Sequence, residues 1–491
     1  MTARLLLAFL ISFGTGLALV LLSWRDRGRA WPFWLLRLCL AGGLGLGLSS
    51  EIYFFWRWAS GVSTASLLLA ELLVLGGLCG SLWLRKTRFS RSAGPSSPPE
   101  ARTAPARPSA LVEKFLLVAF CVALAAAGYA FVSASANHPH GGWDAWMSWN
   151  LRARFFFRAG DYWRDVFSPL FWGANPEYPV FLPTTVAQLW QFAGGETQGA
   201  PVLVAAFFTF ATVALACSSL WLLRSKGQGL LAGLLLLATP FFIQHGTSQM
   251  ADVPLSFFLL AGIATLCIGD RLSPESARPF VLTGLAAGLA AWTKNEGMLF
   301  VAALILVSVA VLVRERERNG LAARGLAFAW GLLLVLPLAL YVKRHFAPRD
   351  LMLVWNGERL HDIIEWRRYW QILKAFGFAC LSFGNWPLQV TPLLVFYALL
   401  LGIDPEQPRH RSSRIALGAV GLTLAGYAFV YVTTPQDLAW HLRTSLQRVL
   451  LQLWPSTVFL FFLFLRTPEQ GFAADDGAGQ GDDSRRVAAP V

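Results

Sequence analysis

Long apolar runs recur from one end of the chain to the other, separated by short polar connectors. They fall at about 5–23, 33–53, 62–84, 115–136, 201–223, 229–243, 254–269, 280–293, 298–313, 325–342, 376–401, 415–432 and 446–465. About 20 such residues carry a helix across the hydrocarbon core of a bilayer. The pattern therefore predicts an all-α polytopic membrane protein, a bundle of about 11–13 transmembrane helices. The first run follows Arg4, and "LALVLLSWRDR" offers no small-residue cleavage site, so it reads as a retained span rather than a signal peptide.

The connectors sort by charge. "RDRGR" (25–29), the linker 85–114, "RSK" (224–226), "RERER" (314–318) with Arg324, and "RHRSSR" (409–414) all fall on one side. The connectors 244–253 and 433–445 hold only Arg443 between them. Cytoplasmic loops collect Lys and Arg, so the first set is expected to be cytoplasmic. Four units follow: an N-terminal three-span segment (1–84), a Ser/Pro/Ala/Arg-rich linker expected to be disordered (85–114), a main transmembrane module (115–466), and a Gly/Asp-rich tail expected to be disordered (467–491). No internal repeat is visible, which weighs against inverted-repeat transporters.

Two outer connectors are long, at 137–200 and 343–375. Both are dense in Trp, Phe and Tyr, which suits short helices lying in the membrane interface. Composition agrees with a membrane protein: 55% hydrophobic and only 14% charged, against about a quarter charged in a soluble chain. The net charge of +13 sits mostly in the short connectors, and no basic patch interleaved with stacking aromatics marks a nucleic-acid surface. Cys39, Cys79, Cys121, Cys217, Cys267 and Cys380 all lie in apolar runs with neither CxxC spacing nor a His cluster. Each reads as a small buried hydrophobe, which leaves no disulfide framework or zinc site.

Four stretches on the outer side carry chemistry. In "HPHGGWDAWMSWNLRARFFFRAGDYW" (138–163) Asp144 stands among tryptophans, with Arg152 and Arg154 behind it. A half-desolvated carboxylate suits a general base, and an N-cap is the alternative. A helix over 143–158 would put Asp144, Ser148 and Leu151 on one stripe. "HGTSQMADVPLSFF" (245–258) places Asp252 at the mouth of a span, again a base or a cap. "AAWTKNEGMLF" (290–300) interrupts apolar sequence with Lys294 and Glu296, as functional groups or a mutual structural pair. "TTPQDLAWHLRTSLQRVLLQLWPS" (433–456) puts His441 and Arg448 seven residues apart, on one helix face; a snorkelling arginine is the alternative there. Carboxylates and cations gathered on one face suit a substrate that is anionic and lipid-borne.

Together with "NPEYPVFLP" (175–183), these stretches resemble the GT-C glycosyltransferase superfamily over roughly residues 115–460. The likeness is to family 39-type enzymes, which include protein O-mannosyltransferases and lipid A aminoarabinose transferases. The resemblance implies an enzyme of the bacterial inner membrane that takes sugars from polyprenyl phosphate on the extracytoplasmic side, with a lipid, glycan or protein as acceptor. Asp144 matches the family's first-loop acid and would be the general base. Asp252 matches a second acidic position. Lys294, Arg448 and His441, with Arg152 or Arg154, would hold the phosphate leaving group; Glu296, Glu177 and Tyr178 are counted with them as substrate-binding positions.

One departure stands out. The O-mannosyltransferases carry Asp-Glu in the first loop, and here Ala145 follows Asp144, so the acceptor stays open. No close carboxylate pair occurs on the outer side; "DD" occurs only at Asp475–Asp476 and Asp482–Asp483 in the tail. Neither a metal nor another cofactor is expected, and nucleic acid is not an expected partner. The expected chemistry is a single inverting displacement. A transporter or flippase of lipid-linked or small polar substrates is the alternative from another class, with a non-catalytic scaffold behind it.

Overall fold

A computed structural model describes residues 2–24, 30–60, 63–90, 110–314, 320–350, 357–387, 389–468 and 470. The middle of the expected linker (91–109) and the tail from 471 lie outside the described residues. The described residues are helical, with one isolated bridge between Ile403 and Leu465. In chain order the helices are α1 (Thr2–Ser23), α2 (Trp31–Ser60), α3 (Thr64–Ser90), α4 (Ala110–Asn137), α5 (Asn150–Arg158), α6 (Phe181–Ala193), α7 (Gly199–Leu223), α8 (Lys226–Leu237), α9 (Pro240–Thr247) and α10 (Asp252–Leu272). They continue with α11 (Pro279–Thr293), α12 (Asn295–Arg314), α13 (Leu321–Leu333), α14 (Leu336–His345), α15 (Gly357–Ile364), α16 (Trp366–Ser382), α17 (Val390–Leu401), α18 (Arg411–Val432) and α19 (Leu438–Phe464).

Nine of these are long and apolar enough to cross a membrane, and two bent pairs bring the number to as many as 11. The protein is an all-α integral membrane protein. Several expected spans differ in detail. The run 229–243 is broken between α8 and α9, which meet at 64°. Thr239 is extended and Pro240 opens the next helix, because proline lacks the N–H needed to continue the ladder. The run 325–342 bends by 44° between α13 and α14. The run 376–401 is two helices, α16 and α17, separated by "FGNWP" (383–387), where Gly384 (φ 98°) and Asn385 (φ 55°) are left-handed. In the first outer connector, α6 is not interfacial: twelve of its thirteen residues are buried, packed among α1, α2, α5 and α7.

Lipid adds no hydrophobic drive between helices, so close backbone approach and polar contacts matter more. Glycines supply the approach between α1 and α2: a methyl on Gly16 would strike the Ala41 carbonyl, and one on Gly45 the Ser12 carbonyl. On the other faces of α2, Phe207 of α7, Phe257 of α10 and Leu289 of α11 lie against Gly42, Gly43 and Gly47. The centre of the bundle is α10, buried throughout its apolar length. Leu, Val, Phe and Trp on α3, α4, α12, α13, α16 and α17 remain exposed, as a lipid-facing belt requires. Cysteine burial divides: Cys39, Cys217 and Cys267 are buried, whereas Cys79, Cys121 and Cys380 are exposed on those outer helices. That corrects the expectation that all six are buried, and follows from apolar surface facing lipid as readily as protein.

Polar groups collect at the two ends of α10. At its C-terminal end Arg324 pairs with Asp270 (2.7 Å), Arg271 donates to Gln407 (2.7 Å), and Arg224 pairs with Asp404 (2.5 Å). These residues tie the 402–410 turn to the bundle at the end of α10 where Arg224 and Arg324 lie. The other end holds the candidate site.

Candidate active site

The site starts from a broken helix. After α4, Gly141 turns with φ 76°, and Gly142 N–H donates to the Ser248 carbonyl (3.0 Å). Asn150 bonds Gln249 (3.0 Å), and Gln249 donates to the Pro139 carbonyl (3.0 Å). Residues 139–150 are thereby fastened to the connector that leads into Asp252. The helix over 143–158 forms, but it opens with a π turn at Ala145–Trp149 before α5, so the expected Asp144–Ser148–Leu151 stripe is not a regular α-helical face. Ser148 instead donates to the Ala174 carbonyl (2.6 Å). Asp144 makes no capping bond to the turn it precedes.

Its carboxylate pairs with Arg448 (2.7 Å), 304 positions further along the chain on α19. Arg448 is shared. Its Nη2 and Nε reach Asp252 at 3.0 and 3.3 Å. Asp252 is wholly buried and also accepts from Lys294 (2.9 Å) and Gln452 (2.7 Å). Lys294 sits in an extended break between α11 and α12, which frees its side chain to reach both Asp252 and Glu296, each at 2.9 Å. Gln452 bridges Asp252 to Glu296 (3.2 Å) and accepts from Tyr427 (2.8 Å). The Tyr178 ring lies 5.4 Å from the Lys294 ammonium and stacks on Trp149.

Burial alone would lower the Lys294 pKa, but Asp252 and Glu296 outweigh it and raise it above the ordinary lysine value. Burial, with Glu296 beside it, pushes the Tyr178 hydroxyl up. The five charged groups carry three carboxylates against two cations.

Asp144, Asp252, Lys294, Glu296 and Arg448 thus meet in one network, with Tyr178 on its edge. Others stand apart. Arg152 is buried and donates to the carbonyls of Tyr178 (2.8 Å) and Pro179 (3.3 Å), and burial lowers its pKa to about 10. Arg154 pairs with Glu196 (3.2 Å). Glu177 lends its backbone carbonyl to Lys343 (2.9 Å), and burial raises its carboxyl pKa. His441 bonds Thr434 (2.8 Å) and lies against Tyr431; no contact joins it to Arg448.

Gln452 and Tyr427 were missed in the sequence, as was the Lys343–Asn295–Asp350 group beside the site. The signal for Gln452 was present: a polar side chain four residues after Arg448 on the same apolar helix. Among the described residues no cluster of His, Cys, Asp and Glu has the make-up of a metal site.

Residues 116–352 match the family model of dolichyl-phosphate-mannose-protein mannosyltransferases. That match supports the resemblance to the GT-C glycosyltransferase superfamily. The match covers just under half the chain and includes Asp144, Glu177, Tyr178, Asp252, Lys294 and Glu296; Arg448 and Gln452 lie beyond it. No curated protein and no solved structure matches this chain significantly.

Proposed function

We propose that the protein transfers a sugar from a polyprenyl-phosphate donor to a lipid, glycan or protein acceptor on the extracytoplasmic face of a bacterial inner membrane, with Asp144 as general base. The supporting observation is a gradient of access within the cluster. Side-chain exposure rises from 0% at Asp252 through 17% at Glu296 to 27% at Asp144 and Arg448. Asp144 is the carboxylate best able to meet a substrate, and Arg448, itself anchored on buried Asp252, fixes its orientation. Trp143 and Trp146 flank it, 64% and 42% exposed and edge-to-face at 4.5 Å. They offer apolar faces to a pyranose ring. The positive-inside rule supports the outward orientation, since Arg224, Arg324 and the 409–414 stretch of the basic connectors lie at the opposite end of α10.

In the proposed step the acceptor's O–H or N–H gives its proton to Asp144 while its heteroatom bonds the anomeric carbon. The bond from that carbon to the donor's phosphate oxygen breaks, and the electron pair leaves with the phosphate. One displacement inverts the configuration. Asp252 positions Arg448, and Gln452 in turn braces Asp252. A carboxylate base contributes about 10²–10⁴-fold.

The test uses purified protein in lipid nanodiscs with radiolabelled polyprenyl-phosphate sugars and a panel of lipid, glycan and protein acceptors. Wild type should transfer label, and a folded Asp144→Asn variant should lose at least about a hundredfold in rate. Equal rates would remove Asp144 as the base. If wild type transfers nothing across the panel, the glycosyl-transfer reading fails for those donors, and a transport assay on the same discs tests the flippase alternative.

A further inference from the structure

The C-terminal end of α2 packs behind the break that presents Lys294. Ser50 is wholly buried, and its hydroxyl donates to the Gly47 carbonyl (2.6 Å). With its one proton committed there, the oxygen can only accept, and it takes the indole N–H of Trp292 (3.0 Å). Trp292 is wholly buried too, in the last turn of α11 and two residues before Lys294. Both flanks of the break are tight. A methyl on Gly47 would strike Leu289 of α11, and one on Gly297 of α12 would strike the Ala290 carbonyl. The extended backbone at Lys294 is thus clamped from two sides, and one side of the clamp is α2.

One turn further along α2, the buried Phe54 ring meets four others: Trp292 (5.5 Å), Trp163 (5.8 Å), Phe156 (6.0 Å) and Phe346 (6.0 Å). All four pairs are edge-to-face, a geometry that fixes angle as well as distance. Tyr53 donates to the Phe156 carbonyl (3.2 Å), and Arg57 to the Gly160 carbonyl. Phe156 lies on α5, which continues the helix that opens after Asp144. Phe346 follows Lys343, which donates to Asn295 beside Lys294 (3.0 Å). Phe54 therefore touches the end of α11 and both long connectors. From Ser50 a chain of contacts runs through Trp292 to Lys294, then to Asp252 (2.9 Å), Arg448 (3.0 Å) and Asp144 (2.7 Å). None of α2 lies in the stretch that matches the mannosyltransferase family.

We infer that Ser50 and Phe54 are positioning residues of the active site: they hold Trp292, and Trp292 sets Lys294 against Asp252. A Lys294 released from this clamp leaves Asp252 less firmly held, and with it the arginine that orients Asp144. The bearing on catalysis rests on the glycosyl-transfer reading above; the placement of Lys294 does not.

The experiment uses the full chain in lipid nanodiscs and two readouts. The first is the rate at which acetic anhydride acetylates each lysine, followed by mass spectrometry. Lys294 is 5% exposed and engaged by two carboxylates, so it should label slowly; Lys226, 27% exposed, is the internal reference. Ser50→Ala strands the Trp292 N–H and should raise Lys294 labelling relative to Lys226 by about tenfold. Ser50→Thr keeps the hydroxyl and should restore the slow rate. Phe54→Leu carries the same comparison if Ser50→Ala melts early. The second readout is sugar transfer, where Ser50→Ala should lower kcat and kcat/KM by one common factor of about ten, since the base would be misplaced rather than the substrate released. Wild-type labelling of Lys294 in folded Ser50→Ala and Phe54→Leu overturns the inference. Faster labelling of both lysines also overturns it, because that is general loosening. Faster Lys294 labelling with unchanged transfer overturns the role in catalysis. If wild type transfers no sugar, the glycosyl-transfer reading fails by itself, and the labelling still decides whether α2 holds Lys294.

Discussion

One substitution made at two places separates structural from exposed electrostatics in this site. Asp252 and Asp144 both pair with Arg448, and Asp→Asn keeps nearly the same size at each. At Asp252 every partner is a donor: Lys294 and Gln452 at one oxygen, Arg448 at the other. Whichever way the introduced amide turned, its NH2 would face a donor. Gln452 cannot rotate to help without abandoning the Tyr427 hydroxyl, which donates to its carbonyl oxygen. The substitution also leaves buried Lys294 and half-buried Arg448 facing each other across an uncharged side chain. Breaking a buried pair in this way costs about 3–5 kcal/mol. Asp144 is 27% exposed, as is Arg448, so water screens that pair and its loss costs about 1 kcal/mol or less.

Unfolding entropy of about 2.1 cal/mol/K per residue, taken over a chain this long, makes each kcal/mol worth about 1 °C. Asp252→Asn should therefore lower Tm in mild detergent by about 4 °C, and Asp144→Asn by about 1 °C or less. The measurement is a melt of both variants beside wild type, followed by tryptophan fluorescence. Equal shifts would refute the argument, because they would mean that Asp252 is hydrated despite its burial.

Other expectations follow from separate parts of the fold. Gly45→Val drives a side chain at the Ser12 carbonyl and should destabilise the α1–α2 contact by about 1–3 kcal/mol; an unchanged detergent melt would show that the helices separate at no cost. Asp404 is held below its ordinary carboxyl pKa: burial would raise it, but the Glu406 amide and the Arg224 and Gln407 side chains outweigh that. A depressed pKa means stabilisation that is complete above the ordinary value of 3.8 and is lost as pH falls through the lower folded value. The melting gap between wild type and Asp404→Asn should hold steady through neutral and mildly acid pH and narrow only below about pH 4. A gap that closes near neutrality would contradict it.

The spans were readable because hydrocarbon thickness imposes a length on every apolar run. Their interruptions were less so, although the signals existed. "FGNWP" at 383–387 holds the Gly, Asn and Pro of a turn, yet its apolar flanks carry the hydropathy average straight across it. Pro240 hid in the same way. The meeting of Asp144, Asp252, Lys294 and Arg448 could be anticipated from the expected orientation, since each lies in or near a connector assigned to one and the same side and charges are costly elsewhere. Which cations were already engaged could not. Glu196 lies 42 residues from Arg154, and Arg152 is satisfied by backbone carbonyls that leave no mark in composition. Gln452 escaped notice because it carries no charge, although it holds two carboxylates in place.

The fit of α2 against α7, α10 and α11 has a practical consequence. The stretch that matches the mannosyltransferase family starts at residue 116, so a designer guided by ancestry would cut there. The physical boundary lies elsewhere, because Phe207, Phe257 and Leu289 rest against glycines at 42, 43 and 47. A chain shortened to the matched segment would present those three side chains to loosely packed acyl tails. Here the stretch that matches and the unit that packs are different lengths of polypeptide.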